Sequence, residues 1–77
     1  ESRGVMSVTN DTRLTTLVKT RFLEANRFQP NHVKVVTEAG VVYLMGIVKR
    51  AEAESASQLA STTSGVTRVV RLFEYLD

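Results

Sequence analysis

The run GVVYLMGIVKR, residues 40–50, constrains the fold more than any other stretch. Seven of its eleven residues are large and apolar, and most favour a strand by their steric shape. Side chains alternate along a strand, so Val42, Leu44, Gly46 and Val48 share one face and Val41, Tyr43, Met45 and Ile47 share the other. A strand that is apolar on both faces belongs in the middle of a sheet, with one face on the domain's own core. Gly46 interrupts it, and a glycine inside a strand weakens it. Two readings of Gly46 stay open. A small-residue helix could pack closely over it, where a larger side chain would overpack by about 1–3 kcal/mol. Alternatively it marks a β-bulge.

The remaining chain supplies the partners for this strand. In VTNDTRLTTLVKTRFLEANRF, Leu14, Leu17, Val18, Phe22 and Ala25 recur at helical spacing, with Asn10 or Asp11 as N-cap. The spacing predicts a first helix over about 11–26, closed by Pro30 and Asn31. HVKVVTE and VVYLMGIVK are separated by Ala39-Gly40, the signature of a tight hairpin. RAEAESASQLASTTS follows, with Ala53, Ala56, Leu59, Ala60 and Thr63 on one helical stripe and Gly65 placed to end the helix. VTRVVRLFEYLD closes the chain as a third strand. The resulting order is αββαβ. The expected fold is an α+β two-layer sandwich, a three-stranded mixed sheet with two helices on one face. Strands 2 and 3 flank a right-handed crossover and should be parallel. An all-antiparallel sheet with strand 1 central is the alternative.

Seventy-seven residues make one domain, here residues 9–77 behind a linker at residues 1–8, which has no period. A chain of this size buries only about 60% of its unfolded surface, so stability is marginal. It has no cysteine and no zinc-ligand cluster to supplement the core. Ten Lys and Arg against eight Asp and Glu give a net charge of +2, a mild bias towards anionic partners. No apolar run approaches the roughly 18 residues needed to span a bilayer. The abrupt start at Glu1 suggests an excised domain, with any targeting signal upstream.

With both helices on one side, the other side of the sheet shows Tyr43, Met45 and Ile47, joined by Val36, Val70 and Leu72. A contiguous apolar patch marks an interaction surface. A second layer formed by Val5, Met6 and Val8 folding back is the competing explanation.

The run VKVVTEAGVVYLMGIVKRAEAESASQLASTTSGVTRVV follows V-x-V-x-x-x-x-G-x-V-x-L-x-G-x-V, then an alanine-rich helix, then S-G-V-x-x-V. This resembles a BON domain. With the opening SVTNDTRLTTLVKTRFL it is similar to the second BON domain of the DolP-like outer-membrane lipoproteins of Gram-negative bacteria, over about residues 7–76. The resemblance implies a tandem-BON lipoprotein at the inner leaflet of the outer membrane, facing the periplasm and supporting envelope integrity. It further implies binding of anionic phospholipid such as phosphatidylglycerol through the first helix. A sister BON domain in the same chain would meet the sheet side around Val36, Gly46 and Ile47.

Helix geometry gives that expectation residues. Leu23 points almost directly away from the apolar stripe, with Thr16, Lys19, Thr20 and Arg27 around it and Arg13 on the flank. A hydrophobic tip ringed by cations suits shallow insertion between anionic headgroups. The resemblance implies a tryptophan, an interfacial anchor, at the position of Arg13 in many members of that family. Arginine keeps the attraction for phosphate without the insertable ring, so binding should be more electrostatic and salt-sensitive.

Other function classes find little footing. His32 is the only histidine and has no nucleophile to serve, and Glu52 and Glu54 suit the start of the second helix electrostatically. No catalytic residue, metal ligand or cofactor is expected. The glycines at 4, 40, 46 and 65 form no GXXG loop, and Tyr43 is the lone aromatic on the central strand, which argues against RNA. The runner-up is a protein-interaction BON domain of a periplasmic stress-response protein, pairing through its open sheet face.

Overall fold

The computed structural model describes residues 2–77, with side chains from residue 10 onward except that of Pro30. Its elements are α1 (Ser2–Ala25), a 3-10 turn (Pro30–His32), β1 (Lys34–Glu38), β2 (Val41–Val48), α2 (Arg50–Ser61) and β3 (Arg68–Tyr75). The sheet order is β1-β2-β3, with β1 antiparallel and β3 parallel to β2. This is the expected mixed sheet with β2 central, and the all-antiparallel alternative is not found.

One face of β2 makes the core. Val42, Leu44 and Val48 are fully buried in one cluster with Val18 and Phe22 of α1 and Ala53, Ala56 and Ala60 of α2, and Leu14 of α1 is fully buried as well. The alanines let α2 lie low on the sheet, so the core side of β3, Val69 and Phe73, packs in beside it. Phe28, edge-on to Phe22 at 5.0 Å between ring centres, closes one end. Leu17, at the margin of the helical stripe, stays exposed instead of joining the core. Arg21 takes the flank towards α2, donating to the Leu59 carbonyl at 3.0 Å and the Thr63 hydroxyl at 3.2 Å. Those groups close the C-terminal end of α2, where a cation is favoured.

α1 is longer than its apolar stripe. Its backbone is helical from Ser2, through the segment expected to be a linker, and it ends one residue earlier than expected. Neither Asn10 nor Asp11 therefore acts as its N-cap. Asp11 instead accepts the backbone N–H groups of Ala39 at 2.9 Å and Gly40 at 3.1 Å. Both turn residues have positive φ, +53° and +81°, as a two-residue hairpin between β1 and β2 demands. Such a turn leaves its two central N–H groups pointing outward, and Asp11 satisfies both. Thr67 holds the far side of the turn, its backbone N–H donating to the Gly40 carbonyl at 2.9 Å. At the other end of α1, Asn26 in the left-handed region stops the helix.

Two glycine expectations change. Gly65 does have a positive φ, but it lies in the turn after α2 rather than at its C-cap, which is Thr62. A side chain there would strike Leu14. Gly46, at φ +144°, is tight against backbone, but not against α2. The place of its missing Cβ is filled by the His32 carbonyl oxygen, from the turn that leads into β1. The β2–β3 register runs unbroken through the Gly46↔Phe73 pair, so no bulge interrupts that pairing.

Gly46→Ala should destabilise the chain by about 2–4 kcal/mol in urea unfolding, because backbone strain and a backbone clash coincide. Asp11→Ala should lower stability by about 1–3 kcal/mol by removing the acceptor of two turn N–H groups. Hydrogen exchange at Ala39 and Gly40 should accelerate in that variant.

Candidate functional site

The six residues expected to meet lipid are all exposed. Leu23 is 65% accessible, while Val18 and Phe22 on the opposite side are fully buried. Lys19, Thr20 and Leu23 form a continuous outward strip with Thr16, whose hydroxyl donates to the Thr12 carbonyl one turn back. Arg13 donates to the Asn10 side chain at 3.3 Å, a contact that leaves the guanidinium at the surface. Arg27 is not on the helix: α1 ends at Ala25 and Arg27 follows in the connection, beside Phe28, Gln29 and Glu52. The five helical positions stand together, and Arg27 stands past the end of the strip.

The strip borders a cleft of about 460 Å³ between α1 and β1. Lys19 and Leu23 form the helical side, Val33 and Val35 the buried floor, and Asn31 and Lys34 the strand side. Among the described residues neither Lys19 nor Lys34 has an acidic partner within ion-pair distance. Glu24, the nearest acid in sequence, projects from the flank of α1 away from Lys19. The side of the helix that adjoins the sheet is thus apolar at its base and cationic at its rim. Lys34 escaped the helix-based reading because it belongs to another element, reached only through tertiary packing.

The open side of the sheet has the residues expected there, with one exception. The register aligns Val36, Tyr43 and Val70 in one row and Met45 with Leu72 in the next, followed by Ile47 beside Glu74. Ile47 is 58% exposed, Leu72 54% and Val36 39%, so the patch faces outward among the described residues. Lys34, Glu38, Arg68 and Glu74 rim it. Gly46 is the exception, since it contributes no side chain and its contact is with the His32 carbonyl. Val5, Met6 and Val8, the alternative cover, have side chains outside those described.

No helix among the described residues is long and apolar enough to cross a membrane. Nor do those residues contain a group of three or more His, Cys, Asp or Glu side chains able to hold a metal ion. His32 serves the fold through its backbone.

The family model for the BON domain matches residues 4–77, nearly the whole chain and every element of the sheet. The chain belongs to the BON family. Within that family it is 40% identical over 70 residues to the outer membrane lipoprotein DolP of Haemophilus influenzae, covering 91% of this chain and 36% of that protein. It is 33% identical over 76 residues to a 21 kDa hemolysin of Actinobacillus pleuropneumoniae, covering 99% of this chain and 39% of that protein. This BON domain therefore spans less than two-fifths of the length of these curated relatives, and it is DolP-like in sequence.

Because Leu23 makes no core contact, Leu23→Glu should change unfolding stability by less than about 0.5 kcal/mol. Phe22→Ala, one position away, should cost about 3–5 kcal/mol. Parallel urea melts of the two variants test the outward orientation of the strip.

Proposed function

We propose that this BON domain is a non-enzymatic module that binds anionic phospholipid through the outer face of α1. The observation that carries the proposal is the exposed Leu23 in a strip with Thr16, Lys19 and Thr20 on a rigid, core-packed helix, with Arg13 beside it and Arg27 past its end. An amphipathic helix lies at a membrane interface when an apolar side chain can enter between headgroups and cations can meet phosphate. Each Lys or Arg near an anionic surface contributes about 1 kcal/mol, an effect that salt screens. Here the helix is anchored to the sheet by its opposite face, so binding requires no unfolding. The similarity to DolP, named as an outer membrane lipoprotein, supports a place in the bacterial envelope, at the periplasmic side of the outer membrane. In this reading the domain supports envelope integrity; the alternative is a protein-interaction domain of a periplasmic stress-response protein. Phosphatidylglycerol has the required charge.

A second surface accompanies this one. The apolar sheet face of Val36, Tyr43, Met45, Ile47, Val70 and Leu72, rimmed by both signs of charge, suits a protein partner. Relatives more than twice as long as this chain have room for a sister BON domain, which we propose as its occupant.

Vesicle sedimentation tests the lipid proposal. The chain should bind phosphatidylglycerol vesicles at low salt, release from them as salt rises, and bind neutral phosphatidylcholine at least tenfold more weakly, on the order of the charge terms above. Leu23→Glu should reduce binding by about tenfold or more, since it removes an apolar contact and adds repulsion. Equal binding to both lipids, or an unaffected variant, would contradict the proposal.

A further inference from the structure

The cleft beside the strip has a feature that surface adsorption does not use. Its floor is the buried pair Val33 and Val35, one wall is the exposed Leu23, and its rim carries two lysines from different elements, Lys19 and Lys34. Its volume of about 460 Å³ falls within the roughly 300–1,000 Å³ typical of ligand pockets. An apolar floor beneath a cationic rim is complementary to an amphiphile with an anionic head and a hydrocarbon tail. Neither lysine is neutralised by an acid among the described residues, so both charges are free to meet that head.

We infer that this cleft receives one acyl chain of an anionic phospholipid, with Lys34 of β1 joining Lys19 of α1 to hold the phosphate. The inference rests on the lipid reading of α1 and adds to it a second element and a different depth of binding. A headgroup-only contact would involve the helix alone. Here the tail passes between α1 and the edge strand, along Leu23, onto Val33 and Val35. The edge strand is accessible for this because, among the described residues, β1 has β2 alone as a sheet neighbour. Lys34 is exposed, and its register partner is Met45 of the open sheet face, so it stands where the cleft and that face meet.

The test uses monomeric short-chain phosphatidylglycerol below its micelle concentration, followed by amide shifts, with phosphatidylglycerol vesicles in parallel. Shifts should appear at Val33, Lys34 and Val35 together with Lys19 and Leu23. Affinity should rise by up to about fourfold per methylene added, the factor expected for hydrocarbon leaving water. A tail-attached spin label should broaden Val33 and Val35. Lys34→Glu should weaken binding of the monomeric lipid about tenfold. If vesicles bind but the monomeric lipid does not, or shifts stay on α1 with no chain-length dependence and Lys34→Glu is silent, the cleft proposal is overturned and the surface proposal stands. If neither vesicle nor monomer binds, both are overturned.

Discussion

The His32 carbonyl occupies the space that a side chain on residue 46 would need, and much of the arrangement follows from that fit. Because Gly46 is bare, the turn at Pro30–His32 can lie directly against β2 and deliver the chain into β1 beside it. β1 then pairs in the register Lys34↔Met45 and Val35↔Leu44. That register turns Val35 inward beneath α1 and Lys34 outward. A shift of one residue would reverse both, since strand side chains alternate. The floor and one rim of the cleft beside α1 thus depend on a glycine in a different strand.

The same economy of small residues appears on the other side of the core. Ala53, Ala56 and Ala60 keep α2 close to β2 and β3, while Arg21 ties α1 to the C-terminal end of α2 and Asp11 ties it to the β1–β2 hairpin. In a chain of 77 residues such contacts matter, because the core alone is small. α1 is consequently held on one face and free on the other. A rigidly mounted helix can present Leu23 and Lys19 to a surface without the entropy loss that a flexible segment would suffer on ordering. The open sheet face lies on the other side of the sheet from the helices, and Lys34 on the edge strand stands where that face meets the cleft beside α1.

The parts legible in the sequence are those written as local periodicity or local turn chemistry. The buried stripes of Leu14, Val18 and Phe22 and of Ala53, Ala56 and Ala60 and the Ala39-Gly40 hairpin follow from such patterns. The parallel pairing of β2 and β3 rests on the crossover rule and is decided against the antiparallel alternative only by the structure. Roles that depend on distant partners are not legible in this way. Asp11 reads as a helix cap because Asp commonly is one, yet its partners lie 28 and 29 residues away. Gly46 reads in the sequence either as a place where a small-residue helix packs close or as a bulge, whereas the approaching group is a carbonyl from the preceding turn, which no side-chain pattern reveals. Lys34 reads as an ordinary strand lysine until β1 is docked against α1. For the candidate site, helix angles alone placed Leu23, Lys19 and Thr20 outward. They wrongly carried Arg27 onto a helix that ends before it.

The central claim is that α1 faces anionic lipid while the strands hold the fold. Residue-resolved amide shifts across a titration with phosphatidylglycerol micelles, with a neutral detergent as control, test it most directly. The account predicts that the largest shifts fall between Thr16 and Leu23, extend to the start of β1, and are absent with the neutral detergent. Shifts confined to the open face around Tyr43, Ile47 and Leu72, or equal shifts with the neutral detergent, would contradict it.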